Sequence, residues 1–219
     1  MPAFDIKQLI KDLQSDDEET RRYAAEDMGD TREAEVIPFL VKALFDPSVA
    51  VQEAAVDSLI AIGGEKVCEA VIPLLDNDDA AVRNLAREVF EGVGVIAIDF
   101  AVKLYDSKSH DLRKIAIDTL GKIEETKYCN ALETVFKALD DEHINVVQAA
   151  CEALGKLNCE EAVEQLVNHL GIHPWVDATI FLSLGRIGTF EAKEALEKIN
   201  PENLSQEAAY ALKIALEMV

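Results

Sequence analysis

The sequence predicts an all-α protein, an α-solenoid of about seven helical hairpins stacked in a row. Three observations lead there. Apolar residues recur at helical spacing along the whole chain. The pattern repeats about every 31 residues. No stretch alternates apolar and polar residues as a half-buried strand would.

The elements follow in order. Ile6, Leu9, Ile10 and Leu13 fall on one side of an amphipathic first helix, and the acidic run "SDDEE" ends it. Second helices then open at the anchors Thr20, Val51, Val82, Leu112, Val146, Val176 and Leu204, spaced by 31, 31, 30, 34, 30 and 28 residues. Four places past each anchor stand Ala24, Ala55, Ala86, Ala116, Ala150, Ile180 and Ala208, mostly small enough for helices to approach closely. Eight places past stand the large apolar residues Met28, Leu59, Phe90, Leu120, Leu154, Leu184 and Leu212. Nine places past, Gly29, Gly121, Gly155 and Gly185 recur, and are expected to help the chain leave the helix. Between these helices lie the first helices of the hairpins: "AEVIPFLVKAL", "VCEAVIPLL", "VIAIDFAVKL", "ALETVFKAL", "AVEQLVNHL" and "AKEALEKI". Pro174 suits a first helical turn, so the second helix of the sixth hairpin is expected to start there. The result is one domain, 1–219, with hairpins at about 1–30, 31–63, 64–92, 93–123, 124–157, 158–187 and 188–219. Each such unit contacts only its neighbours.

The segments "TRRYAAEDMG", "VRNLAREVF", "LRKIAIDTLGKI", "QAACEALGKL" and "FLSLGRIG" carry a Val-Arg, alanine, Leu-Gly pattern that resembles the HEAT-repeat family. The resemblance covers nearly the whole chain and is to the short-repeat form shared with phycobilin lyase subunits. It implies that the second helices line a concave, ligand-binding surface. It also implies an arginine that bonds a loop aspartate. That slot holds Arg21, Arg83 and Arg113, but Gln52, Val147, Asp177 and Ser205 elsewhere, so a patchy ladder is expected, with Asp16 facing Arg21 and Asp78 facing Arg83. Family members that bind two irons, the deoxyhypusine hydroxylases, use repeated His-Glu pairs. Here only the reversed Glu142–His143 occurs, which argues against that activity.

With 21 basic and 42 acidic residues the net charge is −21, which disfavours phosphate-backbone binding. The 49% apolar content separates the chain from a disordered acidic tail. No basic-then-apolar leader pattern and no run of about 18 apolar residues appears, so neither a signal peptide nor a membrane span is expected. Cys68, Cys129, Cys151 and Cys159 form no Cys-x-x-Cys pair and read as free, buried thiols of a reducing compartment, with the cytoplasm as the expected location. Cys68 and Cys129 each lie 17 residues past an anchor, two repeats apart, too distant to share a zinc. The lyase resemblance would make such a thiol a bilin carrier, but only Lys66 and Lys127, two residues before, lend it any basic company. His169 and His173 have the spacing of two ligands on a helix, yet Gly171 and Pro174 interrupt it. Gly63–Gly64 and Gly92–Val93–Gly94 lack the Lys-Ser/Thr of a phosphate loop. No catalytic residue, metal ligand or cofactor is therefore expected.

The binding expectation rests on one column. At about 100° per residue, the sixth place past each anchor points away from the apolar stripe. Those places hold Glu26, Asp57, Glu88, Asp118 and Glu152, then Leu182 and Tyr210. Trp175, the only tryptophan, lies on the same flank. The sequence thus points to a non-catalytic scaffold or adaptor. It would bind a protein partner with a basic segment on an acidic concave face, without nucleic acid or membrane. The alternative is a subunit of a bilin lyase or isomerase acting on a chromophore-bearing protein.

Overall fold

The computed structural model describes residues 5–219. Residues 1–4, with which the first expected hairpin begins, lie outside the described residues. The described chain is all helical. Fourteen α-helices occur, joined by turns and short 3₁₀ segments. Contacts divide the chain into two compact units, one running to Phe100 and one spanning Ala101–Val219.

In the first unit, α1 (Ile6–Asp12) pairs with α2 (Glu18–Thr31), α3 (Ile37–Ala43) with α4 (Val49–Ile62), and α5 (Glu65–Val71) with α6 (Ala80–Gly92). The division falls within α7 (Ala97–Leu104). The second unit continues with α8 (His110–Leu120) and then three more hairpins. These are α9 (Ala131–Lys137) with α10 (Ile144–Lys156), α11 (Val163–Asn168) with α12 (Asp177–Ile187), and α13 (Phe190–Glu197) with α14 (Gln206–Met218). Second helices pack side by side: α2 on α4 and α4 on α6 in the first unit, and α8 through α10 and α12 to α14 in the second. This is the stacked-hairpin architecture that the repeat period predicts.

The periodicity is realised in burial. Every residue eight places past an anchor is buried, with Met28, Leu59, Phe90, Leu120, Leu154 and Leu184 wholly inaccessible. Burial of each such leucine-sized side chain stabilises by roughly 1.5–3 kcal/mol. The fourth-place residues, from Ala24 to Ala208, are buried as well. Short polar side chains start the helices: Asp17 Oδ2 accepts from the Thr20 N–H at 2.8 Å, and Ser205 Oγ accepts from that of Ala208 at 3.2 Å. Such caps contribute about 1 kcal/mol each.

Four expectations are corrected. First, Gly29, Gly155 and Gly185 lie inside their helices rather than at the exits, where only Gly121 stands, as the cap of α8. A Cβ built on Gly155 would lie 2.6 Å from the Cβ and Oγ of Ser183, and one on Gly29 would lie 2.5 Å from Ser58 Oγ. Gly121 meets Ala153 and Gly185 meets Ala215 in the same way. The missing side chain is what lets successive second helices touch.

Second, Arg21 reaches further than Asp16, and Arg83 meets Asp78 through its backbone carbonyl rather than its carboxylate. Arg21 Nε and Nη2 donate to Asp46 Oδ2 and Oδ1 at 2.8 and 3.0 Å, one hairpin on. Asp16 is met only through its carbonyl, at 3.2 Å. Arg83 likewise grips the carbonyls of Asn77 and Asp78 at 2.6 and 3.0 Å. The shared task of this slot is to clamp the loop six residues earlier. Gln52 donates to the Asp46 carbonyl at 2.7 Å, and Asp177 inverts the polarity by accepting from the Gly171 N–H at 2.9 Å.

Third, Cys129 is exposed, unlike the buried Cys68. The repeat from Leu112 to Val146 is the longest, at 34 residues, and spends its extra length on a 3₁₀ segment, Glu124–Tyr128. That pushes Cys129 ahead of α9, whereas Cys68 sits inside α5. Fourth, α12 opens at Asp177 with Val176 as its cap residue, so Pro174 and Trp175 belong to the preceding turn.

Candidate functional site

The sixth-place residues lie on the second helices, none of them buried. In the first unit Glu26, Asp57 and Glu88 are all exposed. Glu26 and Asp57 line one shallow groove of about 370 Å³ between α2 and α4, and Asp30 and Glu53 add two carboxylates that the column does not include. A wider reading of the helical face would have found both, since they lie within a turn of the column.

The column is not uniformly bare. Arg22 Nη1 pairs with Glu26 Oε1 four residues on. In the second unit Lys114 Nζ holds Asp118 at 2.6 Å and Lys156 Nζ holds Glu152 at 2.8 Å. The Lys156 hydrogen bond comes first among the influences that lower the Glu152 carboxyl from its ordinary value, ahead of a smaller opposing effect of burial. Asp118 and Glu152 are half-buried. Of the five acids of the column, Asp57 and Glu88 have no ion pair among the described residues. Exposed i,i+4 pairs are individually weak, roughly 0.3–0.5 kcal/mol, so the paired acids remain exchangeable.

The apolar residues of the sixth place lie in the second unit. Leu182 is half-buried on α12, and Tyr210 on α14 is 67% exposed. Trp175 is 83% exposed, with its turn running into α12. Trp175 and Tyr210 line a groove of about 910 Å³ between the N-terminal ends of α12 and α14, with Pro174, Ala178, Gln206 and Glu207 beside them. Leu182 is not among the lining residues, so the structure joins two of the three apolar residues and leaves the third apart.

The three buried cysteines are shielded thiols. Burial pushes the thiols of Cys68 and Cys159 up to about 11 and that of Cys151 to about 12. Cys159 donates to Glu161 Oε2 at 3.4 Å, which also disfavours its thiolate. His169 stands beyond the end of α11, its Nδ1 2.7 Å from the Gln165 carbonyl, and His173 lies in the turn before α12. Among the described residues no three metal-ligating side chains converge. No helix of the described residues is long and apolar enough to cross a membrane.

Comparison with known proteins agrees with the helical-repeat fold. The family model described as HEAT repeats matches residues 6–91, 98–172 and 132–216. A HEAT repeat-containing taxis protein of Halobacterium salinarum is 30% identical over 174 residues, covering 78% of this chain and 39% of the relative. The chain thus spans about two fifths of that relative's length. Among solved structures, importin beta superposes with a TM-score of 0.66 at 15% identity, over 97% of this chain and 37% of importin beta. An engineered protein superposes at 0.51 with 22% identity, over 99% of this chain and 68% of its own. The phycocyanin lyase complex of Nostoc sp. PCC7120 reaches 0.43 at 22% identity, over 100% of this chain and 96% of the matched one, too loose a fit to carry an argument. With repeats recognised along most of its length, and hairpins packed as those repeats require, the chain belongs to the HEAT-repeat family.

Proposed function

We propose that this protein is a non-catalytic adaptor that binds a protein partner through the faces of its second helices. The partner carries a basic segment, which meets the acidic column. The observation that carries this reading is the pair Asp57 and Glu88, exposed at the same place on successive second helices and lacking counter-ions. Opposite fields of this kind steer association and set register more than they add affinity. The exposed Trp175 and Tyr210 supply apolar contact area of the type that dominates interface energetics. Repeat solenoids present extended surfaces suited to this use. A net charge of −21 makes a nucleic-acid partner unfavourable.

The experiment is affinity capture with the wild-type protein, followed by binding kinetics of the captured partner. Reversing Asp57 and Glu88 to lysine is expected to slow association about tenfold at low salt and to flatten the salt dependence. Reversing the paired Asp118 and Glu152 is expected to do less. Trp175→Ala is expected mainly to speed dissociation, at a cost of about 2 kcal/mol. Unchanged association of the Asp57/Glu88 variant would reduce the column to a solvated face.

A further inference from the structure

The groove between the N-terminal ends of α12 and α14 has a chemistry more specific than apolar contact. Two large aromatic residues are exposed there, Trp175 at 83% and Tyr210 at 67%. Glu207, exposed in the first turn of α14, lines the same groove. An indole, a phenol ring and a carboxylate around one cleft are the parts that recognise a guanidinium. The rings offer their negative faces, and the carboxylate takes the fork of N–H groups. A planar guanidinium uses both at once, which an ammonium does not.

The chain pairs a guanidinium with a phenol ring and a carboxylate once from its own residues. On α2 the Arg22 guanidinium lies over the Tyr23 ring, 4.3 Å from its centroid, and pairs with Glu26. Tyr23 and Glu26 are three residues apart, as are Glu207 and Tyr210 on α14. On α14 no cation of the described residues lies over Tyr210, and none lies over Trp175. An anionic occupant is disfavoured by Glu207 and by the charge of −21. At the N-terminus of α14 Ser205 acts as the cap, its Oγ accepting from the Ala208 N–H.

Resting on the reading that the partner is basic, we infer that this groove receives an arginine side chain of that partner, its guanidinium against Trp175 and Tyr210 and paired with Glu207. The 910 Å³ volume accommodates the side chain and its flanking backbone.

Trp175 is the only tryptophan, so its emission reports the groove directly. The probe is an N-acetylated hexa-arginine amide, compared with the same peptide in citrulline, which keeps the planar shape and loses the charge. Hexa-arginine is expected to change Trp175 emission saturably, and the citrulline peptide to bind at least tenfold more weakly. Glu207→Gln and Tyr210→Ala are each expected to raise the dissociation constant three- to tenfold. Glu217→Gln, an equal charge change at the far end of α14, is expected to leave it within twofold. No saturable change, equal binding of citrulline, or equal effects of Glu207→Gln and Glu217→Gln would each overturn the assignment. Lysine reversal of Asp57 and Glu88 separates this from the adaptor reading. It is expected to leave peptide binding at the groove within twofold, because neither residue lines the groove. If the groove fails and that variant still slows the captured partner, the adaptor reading stands and the arginine site falls.

Discussion

Arg113 holds Asp141 with both arms of its guanidinium, Nε to Oδ2 at 2.8 Å and Nη2 to Oδ1 at 2.9 Å, while Nη1 caps the carbonyls of Ser107 and Lys108 at 3.2 Å. One side chain thus closes its own loop and ties it to the next hairpin. The pair is well covered, at 9% and 4% side-chain exposure. Burial opposes the charged form of Asp141. The hydrogen bonds from Arg113, the His143 N–H and the Tyr105 hydroxyl outweigh it and hold the carboxyl below the ordinary carboxylate range.

Arg113→Met is therefore expected to destabilise by about 3 kcal/mol, because it strands a covered carboxylate. The effect has a defined pH dependence. A carboxyl lowered in the folded state contributes stability above its unfolded value, about 3.9, and loses it as pH falls through the lowered folded value. Urea unfolding at pH 7 and at stepwise lower pH is expected to show the gap between wild type and variant closing below about pH 4. A gap that stays constant with pH would show that the pair contributes through packing alone.

Gly155→Ala is expected to reverse the usual sign. Within a helix, alanine normally gains about 1 kcal/mol over glycine. Here the added Cβ would fall 2.6 Å from Ser183 Cβ and 2.7 Å from its Cα, so α10 and α12 must separate. A loss of about 1–3 kcal/mol is expected by thermal or denaturant melting. A gain would place the two helices further apart than described.

Ser58 and Ser183 occupy the same slot, seven places past their anchors, and are expected to respond oppositely to alanine. Ser58 Oγ donates to the Ala25 carbonyl at 2.8 Å in a buried crossing, so Ser58→Ala is expected to cost about 1 kcal/mol. Ser183 Oγ is buried with no hydrogen-bond partner among the described residues. Ser183→Ala keeps the packing and removes an unsatisfied hydroxyl, so a gain of about 1 kcal/mol is expected. Denaturant midpoints of the two variants decide the matter.

Cys129 is expected to be the one thiol that a brief exposure to iodoacetamide modifies in the native protein. Cys68, Cys151 and Cys159 are buried, and burial raises their thiols to about 11, 12 and 11. Intact-mass measurement is expected to show one adduct under native conditions and four in denaturant. Rapid modification of Cys151 in the native state would contradict the packing of α10.

Much of this was legible in the chain itself. The period and the apolar stripe predict fourteen helices in hairpins, and the buried residues at the fourth and eighth places follow from helix geometry alone. The outward direction of Glu26, Asp57 and Glu88 follows from the same 3.6-residue turn. Within one helix such relationships are local, so residue order suffices to state them.

What tertiary structure decided lies between helices. Residue order showed that Gly155 recurs in its slot, but only the approach of α12 reveals that Ser183 forbids a side chain there. It placed Arg21 near Asp16, but an arginine is long enough to cross to the next hairpin, where Asp46 offers two oxygens at once. It set Trp175 on the flank of Leu182 and Tyr210, but only the juxtaposition of two helix ends brings Glu207 to the groove and leaves Leu182 out. The physical reason is the same in each case. A helix fixes which way its side chains point, whereas their partners depend on how far the next helix stands, and that distance is set by the summed packing of many residues.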